Sequence, residues 1–143
     1  MRVPRLLCAA VLLLALLAGI AAAQSGFYLK PGDRVVFYGD SITDQRLYTT
    51  FVETFVRTRF PNLDVSFVHS GWGGDRVTGG GGGPIGIRLR RDVEPYHPTV
   101  VTIMLGMNDG RYRSYDQAIF DWYKTGFELM LKDLKSVAPN TRI

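Results

Sequence analysis

The chain has 143 residues, with 17 Lys and Arg against 13 Asp and Glu, and 46% of its residues are hydrophobic. That length holds one small domain and excludes two, and no basic cluster with interleaved aromatic residues argues for nucleic acid as a partner. The single cysteine, Cys8, excludes an internal disulfide framework.

Arg2 and Arg5 precede an apolar run over residues 6–23 that closes on Ala21-Ala22-Ala23. A positive start, a short apolar stretch and a small-residue end make residues 1–23 a secretory signal peptide, cut after Ala23. Residues 24–143 are then the mature domain, secreted or periplasmic, with no stable membrane span after cleavage. The alternative is an uncleaved anchor, because the run is close to the roughly 17–25 residues that a span needs. Cys8 stands at the start of the run, whereas a lipidated cysteine belongs at its end.

Short apolar runs then alternate with longer amphipathic stretches, the pattern of a βαβ protein. Turn chemistry at Pro31-Gly32-Asp33 leads into a first strand over residues 34–38 (RVVFY). Residues 45–60 predict a helix, with Leu47, Phe51, Val52, Phe55 and Val56 on one stripe. Residues 64–68 (DVSFV) predict a second strand, and a glycine-rich loop follows over residues 71–83. A shorter helix is expected over residues 85–93, closed by Pro95 and Pro98. Residues 99–105 (TVVTIML) have the near-continuous apolar character of a parallel strand buried on both faces. The last helix begins near Ser114, carries Ile119, Trp122, Tyr123, Phe127, Met130, Leu131 and Leu134 at helical spacing, and stops around Pro139. Three β-α units in series predict a three-layer α/β/α sandwich.

In open sheets of this kind chemistry sits at the carboxyl ends of the strands. After the first strand comes Gly39-Asp40-Ser41-Ile42-Thr43. Alone, this turn fits a helix cap at Ser41 or Thr43 better than a nucleophile, because caps are the commoner use of such residues. After the second strand comes His69-Ser70-Gly71-Trp72-Gly73-Gly74-Asp75, whose adjacent glycines let the backbone approach a ligand. The five glycines at 79–83 lack the Lys-Ser/Thr of a phosphate loop and read as a flexible loop. After the third strand comes Gly106-Met107-Asn108-Asp109-Gly110, which suits a turn or a carboxamide that donates to an oxyanion.

The three blocks in this order resemble the SGNH hydrolase superfamily, the GDSL-type lipases and esterases. The resemblance covers most of the chain after residue 30, and it implies a flavodoxin-like parallel sheet and ester hydrolysis through an acyl-serine. It makes Ser41 the nucleophile, and it gives the oxyanion hole to the N–H groups of Ser41 and Gly74 and the side chain of Asn108. Gly74 is preferred to Gly73 because the family's glycine commonly precedes an Asp, here Asp75. Asp40 is expected to orient the serine turn, and Asp109 its own loop.

The family's Asp-x-x-His block near the C-terminus is absent from this chain, so neither the base histidine nor the acid aspartate is present. His69 ends the second strand and His97 precedes the third, and neither is expected to serve as base. With strand order 2-1-3 the third strand would be an edge despite its central-strand composition, and Arg142-Ile143 reads as the start of a fourth strand. The chain is therefore read as a domain truncated after the third β-α unit, the N-terminal part of a longer esterase and by itself inactive. The implied partner is a small-molecule or carbohydrate ester, with no cofactor and no metal. A rival reading is a non-catalytic, exported glycan-binding module with Trp72, Tyr112 and Tyr115 as stacking platforms. A nucleotide-binding Rossmann domain ranks below both, since no Gly-x-Gly-x-x-Gly follows the first strand.

Overall fold

The computed structural model describes residues 27–143, and all of its elements lie in a compact unit from Pro31 to Ile143. The expected leader over residues 1–23 lies outside the described residues. In chain order the elements are β1 (Arg34–Gly39), α1 (Ser41–Asp44), α2 (Leu47–Arg59), β2 (Ser66–Gly71), β3 (Gly79–Gly80), β4 (Gly83–Pro84), α3 (Ile85–Asp92), a 3-10 turn (Glu94–Tyr96), β5 (Val100–Met104) and α4 (Gln117–Val137).

β2, β1 and β5 form a parallel sheet in that order, with Val36 opposite both Val68 and Val101. The central strand is buried on both faces, since Val35, Val36, Phe37 and Tyr38 are each at most 2% exposed. On one face Val36, Tyr38 and Val101 pack against Leu89 and Val93 from α3 and its end, and against Met130, Leu134 and Ala138 from α4 and its end. On the other face Phe37 stacks on Phe67 at 5.8 Å and meets Tyr48 of α2 edge-on at 6.1 Å. Helices thus cover both faces, and the three-layer α/β architecture expected from the sequence is present.

Several boundaries differ from expectation. The helix expected over residues 45–60 is α2, Leu47–Arg59, and a separate short helix, α1, precedes it, because Arg46 takes a left-handed conformation (φ 61°) between the two. Of the expected apolar stripe on α2 only Val56 is buried, and Leu47, Phe51 and Phe55 are more than half exposed. The helix seats Thr49 and Val56 inward instead. Glu53 and Arg57 lie over His69 and Phe67, which leaves the Phe51–Phe55 flank facing away from β2.

The second strand runs to Gly71, beyond the expected residues 64–68, because its pairing with β1 continues as far as Gly39 opposite Gly71. His69 is therefore within the strand. The glycines at 79–83 are not a flexible loop: Gly79 pairs with Pro84 and Gly80 with Gly83 in a short antiparallel ladder. The last helix starts at Gln117 rather than near Ser114, because the Asp116 carboxylate caps it by accepting from the Ile119 N–H at 3.2 Å.

β5 pairs with β1 on one side, and along its other side Arg142 forms a single parallel bridge to Val100. Thr102 and Met104 are exposed while Val100, on the same face, is buried, so the burial on both faces expected over residues 99–105 holds only at the start of the strand.

Burial separates two leucines that the sequence pattern treats alike. Leu134→Ala, at a site 1% exposed, is expected to destabilise the chain by about 2–5 kcal/mol. Leu47→Ala, at a site 64% exposed, is expected to change stability by no more than about 0.5 kcal/mol. Urea unfolding of the two variants beside the parent measures both, and equal losses would contradict the packing described.

Candidate active site

Three loops meet where β1, β2 and β5 end. β1 closes on Gly39, where a Cβ would stand 2.1 Å from the Thr43 hydroxyl and 2.7 Å from the Met104 carbonyl oxygen. Only a glycine lets α1 fold back so tightly on the strand end. Asp40 follows, 2% exposed; its N–H donates to the Met104 carbonyl at 3.3 Å and its Oδ1 accepts from the Ile42 N–H at 3.0 Å. The cap of α1 is thus Asp40, and Ser41 is the first helical residue. Thr43 is buried against the Tyr48 hydroxyl at 2.9 Å. The Ser41 hydroxyl, half-buried, has no hydrogen-bond partner among the described residues, so the capping explanation for this serine falls away.

The second loop turns through Gly74, whose φ of 76° is left-handed. It is tied to β1 by the Trp72 N–H donating to the Gly39 carbonyl at 3.0 Å. The third loop carries Asn108, and its carboxamide joins all three loops. Nδ2 donates to the Asp75 carbonyl at 2.8 Å and to Asp40 Oδ2 at 3.4 Å, while Oδ1 accepts from the Tyr112 hydroxyl at 3.0 Å. Asp109, 1% exposed, accepts from the Val77 N–H at 3.2 Å and so binds the third loop to the second.

Beneath the loops lies a residue that sequence reading missed. Arg88 of α3 has a side chain only 1% exposed. Its Nε donates to Asp75 Oδ2 at 2.5 Å, Nη1 pairs with Asp92, and Nη2 donates to the carbonyls of Ser70 at 3.2 Å and Gly39 at 3.4 Å. The guanidinium also lies 4.8 Å from the Tyr38 ring and 5.7 Å from that of Trp72. A usable signal existed: Arg88, Arg90 and Arg91 share one short helix, and only Arg88 falls between Ile85 and Leu89 on its inward face.

The two histidines stand apart from Ser41. His69 Nδ1 bonds the Thr49 hydroxyl at 2.7 Å and its Nε2 faces Glu53 at 3.3 Å, so both ring nitrogens are engaged toward α2. His69 thus lies inside β2, opposite Phe37, and not at the end of the strand as expected. His97 is exposed at the other end of the sheet, where its carbonyl accepts from Arg34. Of the aromatics, Trp72 is stacked under Arg91 at 4.9 Å, while Tyr112 and Tyr115 are 75% and 74% exposed. Among the described residues no group of three His, Cys, Asp or Glu could hold a metal ion, and no helix is long and apolar enough to cross a membrane.

A serine turn, a glycine loop and a carboxamide converging on one edge of a parallel sheet are the frame of an SGNH-type esterase fold. The model of the GDSL-like lipase/acylhydrolase family matches residues 37–143, and the chain belongs to that family of ester-bond hydrolases. Among solved structures it is similar to a gut microbial diltiazem-metabolizing enzyme, BT4096, with 34% identity and a TM-score of 0.68 over 80% of this chain and 26% of that one. It is also similar to Axe2, an acetylxylan esterase from Geobacillus stearothermophilus, with 26% identity and a TM-score of 0.61 over 80% and 58%. A third is LAE5, an alpha/beta hydrolase enzyme from the metagenome of Lake Arreo, Spain, with 26% identity and a TM-score of 0.61 over 82% and 60%. The chain thus spans about a quarter of the first of these and about three fifths of the others. A comparison with curated proteins returned no match.

Burial pushes the Asp109 carboxyl above its ordinary range, against the Val77 N–H and Arg76, which pull it down. A group that holds its proton more tightly when folded favours the fold while protonated. That advantage is lost as pH rises from the ordinary aspartate pKa of about 3.9 through the folded value. Asp109→Asn retains an acceptor for Val77 and cannot ionise. The stability of the parent minus that of this variant is therefore expected to fall as pH rises from about 4. Paired urea melts at several pH values measure it, and a difference that is flat or rising would contradict the assignment.

Proposed function

We propose that this chain is the nucleophile and oxyanion-hole part of an exported serine ester hydrolase, with Ser41 as nucleophile. The observation that carries the reading is Asn108, whose amide reaches Asp40 beside Ser41 and Asp75 beside Gly74. In the proposed reaction Ser41 Oγ gives its proton to a histidine from outside this chain and attacks the ester carbonyl. The N–H groups of Ser41 and Gly74 and the Asn108 amide hold the oxyanion. The 3.4 Å bond from Asn108 to Asp40 is the weak one, and its N–H is the donor that turns from Asp40 to hydrogen-bond the oxyanion. The alcohol leaves with the proton from the imidazolium, and water, deprotonated by the same histidine, releases the acid from Ser41. Asp40 acts by capping α1 and orienting the serine turn.

Three observations support a longer native protein that supplies the histidine and its acid. Beyond residue 140 the open side of β5 holds one bridge, at Arg142. Among the described residues Leu47, Phe51 and Phe55 form an exposed apolar flank on α2, the kind of patch that marks a surface for further packing. The chain also matches only part of each similar structure. The signal-like leader favours substrates met outside the cytoplasm. With an acetylxylan esterase among the similar structures, the class proposed is carbohydrate or small-molecule esters, acetyl esters first. Side chains and water suffice for this reaction.

The test uses the full-length gene product and an activated acetyl ester. Ser41→Ala is expected to reduce turnover to background. Asn108→Ala is expected to lower kcat about 10²–10³-fold in a folded protein, while the 143-residue chain alone should turn over little. Undiminished activity in Ser41→Ala would refute the reading, and undiminished activity in Asn108→Ala would remove that residue from the oxyanion hole.

A further inference from the structure

We infer that Arg88 is a positioning residue for the oxyanion hole, acting on Gly74 through Asp75 and on the serine turn through the Gly39 carbonyl. The inference rests on the reading of Ser41 as nucleophile.

The guanidinium is a rigid planar fork with five donors, and each arm reaches a different part of the site frame. Nε holds the side chain of Asp75, the residue directly after Gly74, at 2.5 Å. Nη2 reaches carbonyls at the ends of two neighbouring strands, Ser70, next to last in β2, and Gly39, last in β1. Gly39 is followed at once by Asp40 and Ser41. Nη1 pairs with Asp92 and anchors the fork to its own helix. One cation therefore fixes the spacing between the turn that carries Ser41 and the loop that carries Gly74.

The glycine ladder serves the same arrangement. A Cβ on Gly82 would come within 2.5 Å of Arg88 Cδ, 2.9 Å of its Nε and 2.9 Å of Trp72. The hairpin of β3 and β4 thus closes over the guanidinium, and only the missing side chain at 82 leaves room for it. The Tyr38 ring lies 4.8 Å from the same cation. Water is excluded from every side, so the bonds to Asp75 and to the two carbonyls are not exchanged for solvent.

A lysine keeps the charge and cannot span Asp75, Asp92 and two carbonyls at once. In the full-length protein Arg88→Lys is expected to lower kcat on an activated acetyl ester about 10- to 100-fold, with KM changed less than about threefold, since the oxyanion forms only after binding. Gly82→Ala, which displaces Arg88 without altering it, is expected to act the same way. Arg91→Gln, which touches Asp92 and Trp72 but neither Asp75 nor Gly39, should leave kcat within about twofold. Active-site titration corrects each kcat for folded protein. Arg88→Lys or Gly82→Ala, folded and with kcat within twofold of the parent, would overturn the inference, as would a loss borne by KM alone. A parent whose turnover survives Ser41→Ala would instead refute the esterase reading, and the positioning role with it.

Discussion

A guanidinium sealed from water beneath Trp72 and beside Tyr38, with Asp75 and Asp92 as its counter-charges, constrains the site end of this domain. Removing either partner of a buried ion pair strands a charge and costs about 3–5 kcal/mol, whereas the intact pair adds little net stability over a well-packed apolar core. The value of such a pair lies in the geometry it imposes. Here it forces the ends of β1 and β2, the loop after β2 and helix α3 into one fixed relation. The glycine ladder, the burial of Asp75 and the stacking of Trp72 follow from the need to surround that cation without water.

The second brace is Asn108. Where Arg88 joins β1 to β2 from below, the Asn108 amide joins the loops after β1, β2 and β5 from above. Asp109 adds a bond to Val77 at the same level. Ser41 follows Gly39, which Arg88 holds, and Asp40, which Asn108 holds, and its hydroxyl is unengaged at the end of the most buried strand in the sheet. The surrounding polar groups are bonded to one another, and the Ser41 hydroxyl is bonded to none of them.

The order of elements was legible because each strand and helix carries its own periodicity and its own stop signal. RVVFY at 34–38 lies in a strand buried on both faces, as its composition demands, and Asp116 caps a helix whose apolar positions Met130 and Leu134 reach the core. The candidate loops were legible because glycine and carboxamide residues follow the strands directly. Other features depend on partners distant in sequence. Arg88 resembles its neighbours Arg90 and Arg91 until Asp75 and the Ser70 carbonyl are brought beneath it. The α2 stripe misled because hydrophobic spacing does not say which side is covered: Thr49 faces His69, and Phe51 faces solvent. The glycine run looked featureless because the space that Gly82 leaves is taken by Arg88 and Trp72, residues outside the run.

The central claim is that this edge of the sheet presents Ser41 as a nucleophile backed by oxyanion donors. A fluorophosphonate probe reacts with such a serine and leaves a phosphonyl group on its oxygen, which peptide mass spectrometry locates. In the full-length protein the account predicts one labelled residue, Ser41, with labelling slowed strongly by Asn108→Ala. Labelling elsewhere, or none in a folded and full-length protein, would contradict it.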